Sequence, residues 1–317
     1  MKGDVATGVA RVIGVGIALL IGGILVGTGP AKPDFHGNWT NATQTPLERV
    51  TGGGLALTEE EAASHENEGR KDKPGELWRD RGLSVLRIDG VPRSSILIDP
   101  ANGRVPPLTE SGKKRHAEIT ARRRKFGEFD HPEMRPLAER CLLSFGSNAG
   151  PPMLPNYFYN NNYTIVQTAD HLMILTEMVH DARIIPIGVA THRPSRIRPW
   201  FGDSIGRWEG QTLVVETVNI HPLQLEQLNH WWAHRGASEN LRVTERFTMS
   251  GPDTIRYRFT IDDPATFTSS FSGELLFHRF DEMIYEYACH EGNATVANVL
   301  SGQRAQEKQK AKVPPGP

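Results

Sequence analysis

Apolar and polar residues alternate along most of the chain beyond residue 163, in paired runs separated by turn residues. Residues 163–168 and 172–179 flank Ala169-Asp170-His171, and residues 206–208 and 212–220 flank Glu209-Gly210-Gln211. Residues 241–249 and 254–261 flank Ser250-Gly251-Pro252-Asp253, and residues 274–280 and 283–289 flank Asp281-Glu282. A period of two is that of a strand with one buried face, and polar breaks rich in Gly, Asp and Pro suit tight turns. Ile255, Tyr257, Phe259 and Ile261 fall on one side of their run and Arg256, Arg258 and Thr260 on the other, so one face is core and the other wet. The pattern predicts a mainly β fold with a few peripheral helices. An antiparallel meander would close into a barrel, or form a calycin-like or two-sheet sandwich, so removing exposed edges.

Ahead of the hairpins the pattern is mixed. Thr58 and Glu61 form a capping box that opens a polar helix over 59–70. Strands are expected at 83–89 and 94–99, and a second helix at 109–126. A proline- and asparagine-rich connection spans 151–162. The expected organisation is one β-rich domain over 32–302, with 32–155 as its mixed first part, then a polar, disordered tail over 303–317.

The apolar run at 12–26 follows Lys2 and Arg11. It is shorter than the roughly 20 residues of a spanning helix and fits the core of a signal peptide. Residues 1–31 are therefore expected to direct export to the periplasm or beyond, with cleavage after Ala31 or with the segment kept as a membrane anchor. Export alters the reading of Cys141 and Cys289, the two cysteines of the chain. In an oxidising compartment they are a disulfide candidate, with two buried thiols as the alternative.

Charge narrows the function. Over 317 residues, 36 basic side chains nearly balance 37 acidic ones, leaving a net charge of −1. That balance argues against a nucleic-acid binder. One basic run, Lys113 to His116 continuing at Arg122 to Lys125, reads as a solvated helix face or as a contact for an anionic membrane surface. There is no Gly-x-Ser-x-Gly elbow, P-loop, dinucleotide fingerprint or His-Glu-x-x-His zinc motif. No cofactor and no metal are expected. His230 and His234 have the i, i+4 spacing that a helix would align, beside Trp231 and Trp232.

Candidate chemistry comes from acids on otherwise apolar faces. Glu177, Glu216, Glu245 and Glu286 each fall on such a face of a different run. A buried carboxylate raises its pKa or finds a partner, and Arg183, Arg207, Arg246 and His290 are the available partners. Glu286 and His290 share a face, opposite Cys289, and are expected as a proton-transfer pair. Glu177 or Glu245 would be a second acid, and Trp208, Trp231 and Trp232 would line the pocket, with Arg183 and Arg207 as polar contacts. The expected ligand is a small, largely apolar molecule in a β cavity. The alternatives are a metal-independent acid/base enzyme, a carrier without chemistry, or an envelope scaffold.

Five blocks carry a resemblance: 177–185, Gly202-Asp-Ser-Ile-Gly-Arg-Trp-Glu-Gly-Gln-Thr-Leu-Val-Val-Glu-Thr217, 244–247, 261–264 and Glu286-Tyr-Ala-Cys-His-Glu-Gly-Asn293. Together, over about residues 34–302, they resemble a large family of exported bacterial proteins. The resemblance implies a secreted β-rich fold and no particular activity. It makes the blocks themselves candidates for a site.

Overall fold

The structure is a computed structural model that describes residues 31–50, 52–69, 82–156, 159–230 and 232–311. The strands are β1 (Gly37–Thr40), β2 (Arg87–Ile88), β3 (Val91–Pro92), β4 (Leu97–Asp99), β5 (Asn162–Gln167) and β6 (His171–Thr176). They continue with β7 (Ala182–Pro186), β8 (Asp203–Glu209), β9 (Thr212–Val218), β10 (Arg242–Gly251), β11 (Thr254–Asp262) and β12 (Phe271–Arg279). The helices are α1 (Glu59–Gly69), α2 (Glu110–Lys125), the single turn α3 (Pro222–Leu225) and α4 (Thr295–Lys310). No helix among the described residues is long and apolar enough to cross a membrane.

Nine strands form a nearly closed ring in the order β7-β6-β5-β1-β12-β11-β10-β9-β8, with β4 added against β12. Each step along this path is antiparallel. Because every step reverses direction, an odd ring brings its two ends together running the same way. The ends do meet so: Ile187, just past β7, makes a single parallel bridge to Gly206 of β8. The barrel therefore has one parallel seam, held by one bridge.

The alternation sets which side chains fill the barrel. Val243, Glu245 and Phe247 of β10 and Ile255, Tyr257, Phe259 and Ile261 of β11 are all buried. Tyr257 packs against Phe247 and Phe277 with ring centroids 5.0 and 5.3 Å apart, and Tyr163 lies 5.3 Å from Phe277. Each such ring, taken fully from water, contributes roughly 2–3 kcal/mol. Aromatic side chains thus occupy the interior where the sequence reading allowed a calyx. One mouth is covered by the connection that precedes β5: Met153 is fully buried, and its N–H donates to the Tyr257 hydroxyl at 2.8 Å. Gly150 in this segment has φ +81°, and a Cβ there would lie 2.7 Å from Nη1 of Arg183. Only glycine allows that approach.

Both expected longer helices form. The capping box of α1 is made in both directions, Thr58 N–H to Glu61 at 2.7 Å and Glu61 N–H to Thr58 at 3.1 Å. Helix α2 docks through Gly112 and Ile119. The fourth hairpin does not form. Residues 283–289 follow β12 as an irregular segment, with Glu286 and His290 exposed. The reason is topological: β12 already pairs with β11 on one side and with β1 and β4 on the other. No side of β12 remains for a returning strand. Residues 303–310 of the stretch expected as tail belong to helix α4, and residues 312–317 lie outside the described residues.

Cys141 and Cys289 are disulfide-bonded, with Cα atoms 5.8 Å apart and 148 residues between them in sequence. The bond ties the irregular segment to the connection before β5.

Candidate functional site at the barrel seam

Beyond the Ile187–Gly206 bridge the seam forks, and the fork is a cleft of about 450 Å³ lined by Asp181, Arg183, Ile184, Trp200, Phe201 and Ser204 among others. The local sequence explains how Asp181 reaches it. A tight turn over Met178–His180 reverses the chain between β6 and β7, closed by Thr176 N–H to Asp181 C=O at 2.8 Å. Val179 in that turn has φ +64°, a left-handed conformation that β-branched residues avoid. Its side chain is 2% exposed, so burial holds the strained turn. Asp181 then has the same parity as Arg183 and Ile185, the two buried positions of β7.

The floor of the cleft is a polar group centred on Arg183, whose Nε is buried without a hydrogen-bond partner among the described residues. Arg183 donates to Glu245 twice, Nη1 to Oε1 at 3.0 Å and Nη2 to Oε2 at 2.6 Å, and the Tyr257 hydroxyl donates to Oε1 at 2.8 Å. Burial opposes the Arg183 charge, but the carboxylate of Glu245 outweighs it and holds the guanidinium above its ordinary pKa. Burial and the Glu245 charge push the Tyr257 phenol well up, so it stays a donor. Ser204 and Thr217 hydroxyls lie 3.4 Å from Nη2 of Arg183.

Asp181 lacks such support. Its Oδ2 is buried and has no hydrogen-bond partner among the described residues. Burial raises its pKa to about 7. A carboxyl poised there can both give and take a proton at neutral pH, the property acid/base chemistry needs.

The outer wall is the connection from β7 to β8. His192 fastens it, with Nδ1 2.9 Å from Asp203 and Nε2 3.1 Å from Glu216. Arg193 N–H donates to Asp203 at 2.8 Å, and Asn219 donates to the Arg193 carbonyl at 3.1 Å. Trp200 stacks on His221 with centroids 3.9 Å apart. These contacts present Trp200 and Phe201 as the apolar side of the cleft. Glu216 lies below its ordinary pKa: burial opposes this, but bonds from Arg242 and His192 outweigh it.

Of the four acids on apolar faces, only Glu245 points into the barrel, fully buried. Glu216 is on the outer face of β9, where Leu213, Val215 and Thr217 take the inner positions. Glu177 lies beyond the end of β6, half-buried, accepting from Asn162 at 2.8 Å; burial raises its pKa against that bond. Glu286 and His290 are exposed on the irregular segment, and Glu286 lines a shallow depression beside the disulfide instead of the seam. The shared strand face expected for them does not exist. Of the two arginines, Arg183 enters the cleft, while Arg207 is outside, donating to Glu209 at 2.8 Å. Trp208 stacks on Phe35 at 5.9 Å as part of the core, and Trp232 is buried with Leu137 and Leu143. Trp231 lies outside the described residues.

The blocks at 177–185, 202–217 and 244–247 supply Asp181 and Arg183, Asp203 and Ser204, and Glu245 to this one seam. Asp181 carried a usable signal, since extending the alternation of β7 back by one step places it with Arg183. Trp200 and Phe201 carried none, because they lie in an aperiodic loop. No family model and no curated protein matches this chain.

Proposed function

We propose that the protein binds a small, largely apolar molecule in the seam cleft and that Asp181 exchanges a proton with it. The observation that carries this reading is the half-buried Asp181, whose Oδ2 is buried without a hydrogen-bond partner among the described residues and whose pKa burial raises to about 7, in a cleft walled by Trp200 and Phe201. An apolar wall with few polar groups is the usual make-up of a small-molecule site. Arg183 and Glu245 serve as a floor held by their two mutual bonds. The reading extends to place: the protein is exported by its N-terminal segment and works in an oxidising compartment. The Cys141–Cys289 bond supports this. The N-terminal segment itself lies outside the described residues.

The test is mass spectrometry of small molecules released from the protein purified from its native cell envelope, for wild type and Trp200→Ala. A compound carried by the wild type and missing from Trp200→Ala is expected. The same compounds on both would remove the cleft from the function. Conversion of that compound by wild type but not by Asp181→Asn, with binding kept, would make the protein an acid/base enzyme. Binding without conversion would make it a carrier.

A further inference from the structure

The last turn of α2 is a basic tip. The helix carries seven Lys or Arg against two Glu, in a chain whose net charge is −1. Only Gly112 and Ile119 of α2 are buried, and every residue from Ala121 to Phe126 is exposed. Arg122, Arg123, Arg124 and Lys125 are consecutive. At about 100° per residue they point in four directions around the axis. Phe126 follows at the tip, 45% exposed, with the Lys125 ammonium 5.7 Å from its ring centroid. Glu226 engages two of the cations, pairing with Arg122 at 2.7 Å and accepting from Arg123 through its carbonyl at 3.0 Å. Beside the tip, Arg304 of α4 donates to the Phe129 carbonyl and pairs with Asp130 at 3.9 Å and Glu307 at 3.1 Å, and Lys308, one turn on, shares its face.

We propose that this tip docks end-on against an anionic lipid surface. Fluid headgroups can meet Arg124 and Lys125, the two cations of the last turn that Glu226 does not engage, while the exposed Phe126 ring beside them partitions into the interface. The surface shares no residue with the seam cleft.

The test is co-sedimentation of the full chain with vesicles of equal parts phosphatidylglycerol and phosphatidylcholine, and with phosphatidylcholine alone. Binding should be about tenfold stronger to the anionic vesicles and should fall towards the neutral level in about 0.5 M salt. Arg124→Glu with Lys125→Glu should remove that preference with the circular dichroism spectrum unchanged, and Phe126→Ser should weaken it. Any binding by the apolar N-terminal segment would be similar for both vesicle types and would survive these substitutions. Equal binding of the wild type to the two vesicle types, or an anionic preference untouched by the charge reversal, would overturn the proposal. The first result would also leave an acidic protein as the partner to seek.

Discussion

Arg183 and Glu245, 62 residues apart in sequence, meet inside the barrel in a two-bonded ion pair at 3.0 and 2.6 Å, with side chains 2% and 0% exposed. The pair ties the seam strand β7 to β10, two strands in from β8 at the other end of the ring path, and forms the floor of the cleft that Asp181 lines.

Removing one partner leaves a buried charge alone. Arg183→Met or Glu245→Gln should each cost about 3–5 kcal/mol in urea unfolding. The double variant Arg183→Met, Glu245→Met should recover much of that loss, since an apolar pair of similar volume strands no charge. Additive losses would mean that the two side chains are not coupled.

Asp181 should trade stability for chemistry. Its folded pKa, about 7, lies above the ordinary 3.8, so folding favours the protonated form. Its contribution to stability is therefore intact below about pH 4 and is lost as pH rises through about 7. Asp181→Asn should match wild type near pH 4 and exceed it by about 2 kcal/mol at pH 8, a figure reduced for the solvent that reaches the cleft. Equal stability at both pH values would place the carboxylate in water.

His234 should produce the opposite slope. It is fully buried, and burial lowers its pKa from 6.5 to about 4 against the opposing pull of the Gln224 backbone and the Asp263 charge. The unfolded chain binds a proton there first, so stability is present above pH 6.5 and is lost as pH falls towards 4. The loss is on the order of 3 kcal/mol. His234→Gln should flatten the acid limb of the unfolding profile over that window, whereas an unchanged limb would assign acid sensitivity to other groups.

The Cys141–Cys289 bond closes a loop of 148 residues. Replacing both cysteines by serine should cost roughly 2–5 kcal/mol. Limited proteolysis should then cut first within residues 281–293, the irregular segment that the bond anchors. A melting temperature insensitive to reducing agent would contradict this.

Three of the four hairpins were legible because each has a partner strand and one buried face, so burial writes a period of two into the residues. Residues 283–289 carry the same period without forming a strand. Alternation reports a local pattern and says nothing of whether a neighbouring edge is free, and β12 has none. The Arg183–Glu245 pair was half-legible: Glu245 stood out on an apolar face and Arg183 was one of four candidate partners, while the pairing across the barrel awaited topology. Trp200, Phe201 and His192 were invisible, since the loop that carries them is ordered by Asp203, Glu216 and His221 and has no period of its own. The parallel seam follows from counting strands, and the count became nine only once β1 joined β5 to β12.

The central claim is that Asp181 is a proton-exchanging carboxyl in the seam cleft. Carbon-13 NMR titration of the aspartate side-chain carboxyls, with the Asp181 signal assigned by its loss in Asp181→Asn, tests it most directly. The account expects a midpoint of about 7. A midpoint in the ordinary carboxylate range, about 4, would contradict it.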